Sequence, residues 1–186
     1  MPYPVYHLGP SGFLGLLLRR WIDLPVFLLV NIPVDIEVLF AHSMHHRHWH
    51  VHTLLIGGIM GAIFGLIIYR VKPLRRFLEW GMRQVRIPYK ANVWKMIIAG
   101  TLGAWLHVFL DSIYHYDVQL FWPSKARVLQ RPLWQFLGYE ELKLWCLVSF
   151  VGVAILYIFA VRAFNSNKGR IAEAKAKDQA EEQQAC

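Results

Sequence analysis

Long apolar runs alternate with short charged clusters along the chain, and the gaps between charges mark the helices. No Asp, Glu, Lys or Arg occurs over residues 48–69, and none over 144–161. A helix needs roughly 20 residues to cross a hydrocarbon core of about 30 Å, so each gap suffices for a span. Residues 96–110 form a shorter gap. Begun at Trp94 and ended at His115, it reaches full length with Asp111 as an intramembrane acid. Toward the N-terminus, residues 9–18 are an apolar run stopped by Arg19 and Arg20, and 24–40 are a second run holding Pro25, Pro33, Asp35 and Glu37. The pattern predicts an all-α polytopic membrane protein with about five transmembrane helices, at about 9–21, 24–41, 51–70, 94–115 and 142–164. The first is short and crosses only in part. Residues 1–164 then form a single membrane-embedded helical domain. Residues 165–186, rich in Lys, Glu, Gln and Ala, form a solvated, frayed polar tail.

Composition agrees with this reading. Only 17% of the 186 residues are charged and 56% are hydrophobic, whereas an ordinary soluble domain carries about 25% charged residues. This excludes a disordered chain and argues against a soluble globule. The net charge of +8 belongs on cytoplasmic loops rather than against nucleic acid. Residues 70–95 hold eight Lys/Arg and one acid, Glu79. With Arg19, Arg20, Arg162, Lys168, Arg170, Lys175 and Lys177 they share one side in a five-span topology. Only Arg47, Lys125, Arg127, Arg131 and Lys143 fall on the other side. The positive-inside rule makes the larger set cytoplasmic, so the N-terminus lies outside an inner or plasma membrane and the C-terminus lies in the cytoplasm. Segment 70–93 carries Leu74, Phe77, Leu78 and Gly81 amid arginines. It reads equally as an interfacial amphipathic helix on anionic lipid or as a solvated basic loop. The first twelve residues lack a basic n-region, so no cleaved signal peptide is expected. Cys146 and Cys186 suggest neither a disulfide nor a zinc clip.

The nine histidines separate from the lysines and arginines. On the five-span topology His7 precedes the first helix on the outer side. His42, His45, His46, His48, His50 and His52 fill the outer connection between the second and third helices, and His107 and His115 lie in the outer part of the fourth. Asp35, Glu37 and Asp111 sit at the same level. Asp111 is four residues after His107, so both project from one helix face. Carboxylates within spans are costly and commonly functional. Imidazoles and carboxylates without a thiolate suit zinc, and also manganese or iron. A bound ion also offsets the cost of burying the acids. Each element has a plainer reading: a terminal histidine, an exposed loop, a polar contact between helices, acids at a helix end. Their convergence on one face of the membrane favours a metal site.

The order His7-Leu-Gly-Pro, Asp35-Ile-Glu37, His46-Arg47-x-Trp49 followed by His52-Thr53-Leu-Leu, His107-x-x-x-Asp111 and Leu120-Phe-Trp122-Pro123 resembles the YdjM-like family of inner-membrane proteins assigned as metal-dependent hydrolases. The resemblance covers residues 7–123. The sequence departs from the family pattern in two residues and in one spacing, the distance from His46-Arg47 to His52-Thr53 being longer by one residue. Glu37 stands where the family has a second Asp, and His48 where it has a Gly after the Arg. Either His46 or His48 takes the first ligand place of that run, whereas His52 before Thr53 matches directly. The His-x-x-x-Asp logic is also similar to that of zinc-dependent phospholipase C, by analogy alone.

The resemblance and the residues together imply metal-assisted hydrolysis at the outer membrane–water interface. His7, Asp35, Glu37, His46, His52, His107 and Asp111 would hold one or more divalent ions, zinc first. Asp35 and Asp111 are the acids for general-base or water-orienting work. Arg47 would contact a phosphate through its planar fork or snorkel at the interface. Thr53 would orient His52 or cap the third helix, and Trp122 would anchor at the interface or line the mouth. The substrate expected at this depth is a phosphoester of a lipid or lipid-linked compound, and the partner is the bilayer. Two other classes compete. A membrane metal-binding or scaffold protein would bind the ion without turnover. A di-iron hydroxylase or desaturase would use His42-x-x-His45-His46, although such enzymes need several histidine boxes and one is present.

Overall fold

The computed structural model describes residues 5–41, 50–115, 117–124 and 138–184. Seven helices follow in chain order among them: α1 (Val5–Leu17), α2 (Leu24–Leu29), α3 (Asn31–Ala41), α4 (Leu54–Arg70), α5 (Lys72–Gln84), α6 (Val93–Tyr114) and α7 (Tyr139–Gln184). No strand occurs among the described residues. The all-helical architecture matches the expectation. The span count does not.

Among the described residues two segments are long and apolar enough to cross a membrane, Val93–Ile113 in α6 and Lys143–Ser166 in α7. A third exists if α4 and α5, bent by 89° at Val71, count as one broken span. The five expected spans therefore reduce to two or three. With 13 residues, α1 reaches only about 20 Å at 1.5 Å per residue. The 24–41 stretch is interrupted at Val30 between α2 and α3, and its apolar part, Leu24–Ile36, is too short to cross. Pro33 lacks the N–H that would donate to Leu29, and its ring crowds that carbonyl, so the helix stops there and restarts.

Caps set the other boundaries. Thr53 Oγ1 accepts the Ile56 N–H at 3.1 Å and starts α4 three residues later than expected. Asn92 Oδ1 accepts the Lys95 N–H at 3.1 Å and starts α6. Segment 70–93 is mostly helix rather than loop. Val71 turns extended (φ −81, ψ 96) and Pro73 lies in the first turn of α5, where a missing N–H costs nothing. The expected frayed tail continues α7 as helix to Gln184. Ala, Glu, Lys and Gln are strong helix formers, so a polar composition does not end the helix.

Close packing comes from small residues. On α4, Gly57, Gly58, Gly61 and Gly65 are buried against α6. A Cβ on Gly61 would run into the Gly100 carbonyl, and one on Gly65 into the Met96 carbonyl. This is the small-residue interface that lets two helix backbones touch in lipid. Gly9 and Gly12 of α1 likewise face Cys146, Phe150 and Val153 of α7. The α2 helix packs on α6 through Phe27 and Val30 against Gly103.

These contacts set two ends. At one lies Asp23, which caps α2 through the Val26 N–H at 3.1 Å and accepts the Tyr89 O–H at 2.8 Å. Burial raises the Asp23 carboxyl above its ordinary value, with the bonds from Tyr89 and Val26 acting in the opposite sense. Burial and the neighbouring Asp23 push the Tyr89 phenol up. Arg19, Arg20, Lys95 and the basic α5 gather at this end. His7, His52, His107 and the buried Asp111 gather at the other. Lys95 and Asp111 lie on the same helix about 24 Å apart along its axis.

Candidate metal centre

Five sequence-predicted residues meet at the second end: His7 of α1, Asp35 of α3, His52 immediately before the cap of α4, and His107 and Asp111 of α6. His7, His52, His107 and Asp111 are each at most 2% exposed. The acid between them binds the cluster together. His7 Nε2 lies 3.2 Å from Asp111 Oδ1, and His52 Nε2 lies 3.5 Å from Asp111 Oδ2. His107 Nε2 lies 3.2 Å from Asp111 Oδ2 and 3.3 Å from Asp35 Oδ1. The His7 and His107 rings stack at 4.0 Å. One ligand atom each from His7, Asp35, His107 and Asp111 falls within 4.8 Å of the others.

A residue absent from the sequence reading orients this group. The break before α3 leaves the Leu28 carbonyl without its helical partner, and Asn31 Nδ2 donates to it at 2.8 Å. A carbonyl only accepts, so this bond fixes the amide: Asn31 Oδ1 faces His107 Nδ1 at 3.0 Å. His107 Nδ1 therefore carries a proton, and its Nε2 is aimed at two carboxylate oxygens. Ser11 steadies the same amide, its Oγ accepting from Nδ2 at 3.3 Å. Pro33 and Asn31 were both visible in the chain. What gave no signal was that a proline break would hand an amide to a histidine 76 positions away.

The donor set fits a cation. His107 Nε2 and Asp35 Oδ2 are buried and make no hydrogen bond, as is His7 Nδ1. Lone pairs converging in a buried space repel unless a positive charge or a proton sits among them, and unpaired buried polar atoms are costly. All the facing atoms are imidazole nitrogens and carboxylate oxygens, the set that binds zinc, manganese or iron. Asn31 then supplies the outer-shell hydrogen bond typical of a metal-ligating histidine. Replacing Asn31 with Leu is expected to lower metal affinity by about 10–100-fold with helicity retained. Competition with a fluorescent chelator measures it; unchanged affinity would separate Asn31 from the site.

The other candidates fall elsewhere. Glu37 belongs to α3, but its side chain lies outside the described residues. So do His42, His45, His46, Arg47 and His48, and with them the proposed first ligand of the loop, the phosphate contact and the di-iron box. His50 is exposed and sets its ring edge-on to Trp122, centroids 5.0 Å apart. His115 caps the C-terminus of α6, its backbone N–H donating to Asp111 O at 2.6 Å. Thr53 caps α4, and its O–H donates to His50 O at 2.9 Å.

The family described as "YdjM inner membrane protein" matches over residues 15–173. That stretch includes Asp35, His52, His107 and Asp111, while His7 precedes it. No curated protein and no solved structure matches the chain. With most of its length covered by this match, and apolar helices to agree with it, the chain belongs to the YdjM inner membrane protein family.

Proposed function

We propose that the protein is a membrane-bound, metal-dependent hydrolase that cleaves a phosphoester of a lipid or lipid-linked substrate. The observation that supports it is the buried His107 Nε2, turned toward Asp35 and Asp111 oxygens at 3.3 and 3.2 Å without a hydrogen bond. His7, His107 and Asp111 hold a divalent ion, zinc first, with His52 beside them. Bound there, such an ion supplies an acidified water at neutral pH and polarises a phosphoryl oxygen.

The residues divide the remaining work by exposure. Imidazoles face both oxygens of Asp111, so it acts as a ligand that draws the histidines together. Asp35 is the most open of the group, its side chain 20% exposed. Its Oδ1 is turned to His107 and its buried Oδ2 has no hydrogen-bond partner, which suits the carboxylate to orient a water or take its proton. Substrate approaches from this side. Along α6, Asp111 is about 26 Å from the exposed Trp94, close to one hydrocarbon thickness. That depth suits a headgroup at the opposite interface. The positive-inside rule assigns the metal end to the extracytoplasmic face and the C-terminus to the cytoplasm. Labelling of Cys186 from the outside would reverse that assignment.

The test is metal analysis of the full-length protein purified in detergent, together with hydrolysis assays on a panel of phospholipids and lipid-linked phosphates. At least one divalent ion per chain is expected, with turnover that a chelator abolishes and the metal restores. Bound metal with no turnover across the panel would replace the hydrolase reading by that of a metal-binding protein. Turnover indifferent to chelation would remove the metal from the reaction.

A further inference from the structure

We propose that the end of the bundle remote from the metal centre binds an anionic phospholipid, with its phosphate held by Arg19, Arg20 and Lys95 and an acyl chain in the groove between α1, α5 and α7. Three adjoining cavities carry the argument. The first, of about 340 Å³, is lined by apolar residues that include Leu16, Phe77, Met82 and Val153. The second, about 360 Å³, shares Leu24, Met82 and Ile87 with it and adds Arg19 and Lys95. The third, about 440 Å³, shares Arg19, Ile87 and Lys95 with the second and adds Arg20. Each volume lies in the range of small-molecule sites, about 300–1,000 Å³. Read in order, they run from an apolar groove to a cluster of cations, which is the polarity of a phospholipid.

The cations are placed by carbonyl acceptors, and Asp23 is the one acid lining these cavities among the described residues, acting on Lys95 from the second of them. Arg19 Nη1 donates to the Leu16 carbonyl at 2.9 Å, and Lys95 Nζ donates to the Arg20 carbonyl at 2.5 Å. Carbonyl acceptors fix the side chains without cancelling charge, and each cation keeps further donors for phosphate oxygens. The third cavity has no acid in its lining among the described residues. Asp23 borders the second, where the Tyr89 O–H and the Val26 N–H engage its carboxylate.

The level also fits a lipid rather than a soluble anion. Trp21, Trp80 and Trp94 are exposed here, at 66%, 52% and 69%, and tryptophans of this kind mark the membrane–water interface. Basic pockets between membrane helices bind anionic headgroups for the same electrostatic reason. The site is independent of the metal reading, since about 24 Å of α6 separates Lys95 from Asp111.

The test is native mass spectrometry of the full-length protein in mild detergent, titrated with phosphatidylglycerol or phosphatidylcholine. Preferential retention of phosphatidylglycerol is expected. R19Q and K95Q should each weaken that retention about fivefold. V85W, which fills the groove from an exposed position without altering charge, should reduce it as well. Circular dichroism confirms folding, and R20Q, at an exposed position, carries the test if the other charge variants lose helicity. Equal retention of the two lipids, or full retention by folded charge variants, would overturn the proposal. Thermal stabilisation by millimolar inorganic phosphate equal to that by phosphatidylglycerol would overturn it in favour of a soluble anion.

Discussion

Purified D111N protein is expected to lack the divalent metal and the turnover proposed for the unaltered protein while keeping its helical content. Asn matches Asp in size, so the packing around it survives. What changes is charge and acceptor capacity at the point where His7, His52 and His107 converge. The amide presents donors to one or more imidazole nitrogens and contributes no negative charge. The affinity loss should exceed the roughly 10–100-fold that removal of an outer-shell partner costs. H115A is the matched control, since His115 contributes a backbone cap at the end of the same helix. Metal analysis and the hydrolysis panel read both variants. A D111N protein that retains stoichiometric metal would dismantle the site, because among the described residues no other acid touches three of the histidines.

The second large effect is expected at a residue with no functional group. At Gly61 an added Cβ would meet the backbone carbonyl of Gly100 and the Cβ of Ala104. Neither obstacle is a flexible side chain that can swing aside, so α4 and α6 must separate. G61L should therefore destabilise the protein by about 1–3 kcal/mol or more, the range for overpacking. The consequence reaches the metal centre. His52 lies one residue before the Thr53 cap of α4, and Asp111 lies on α6, so parting these helices lengthens the 3.5 Å approach of His52 to Asp111. Thermal unfolding in detergent and metal content should fall together. At Gly81 of α5 an added Cβ meets nothing within 4 Å. G81A should be neutral or more stable by up to about 1 kcal/mol, because Ala exceeds Gly in helix propensity. Equal tolerance at Gly61 and Gly81 would refute the close-packed interface.

Periodicity and charge gaps identified α6 and the apolar part of α7 within a residue or two at their starts, since long apolar helices are encoded locally. They overcounted spans because a run of hydrophobic letters does not reveal where the helix breaks. Pro33 was visible, but the interruption at Val30, where Asn31 Nδ2 takes up the Leu28 carbonyl, was not. Polarity misled at the other end, where residues 165–184 continue as helix.

The chain by itself determined that this is an all-helical membrane protein, that its cations and its histidines occupy different regions, and that His107 and Asp111 share a helix face. These properties follow from composition and from the 3.6-residue repeat, both local. Only the tertiary structure decided that His7 stacks on His107, that Asp111 draws His7, His52 and His107 together, and that Asn31 orients the His107 ring. It also brought Arg19, Arg20 and Lys95 around one set of cavities. Each joins residues far apart in the chain through helix packing, and packing in lipid is set by which small residues let which backbones meet.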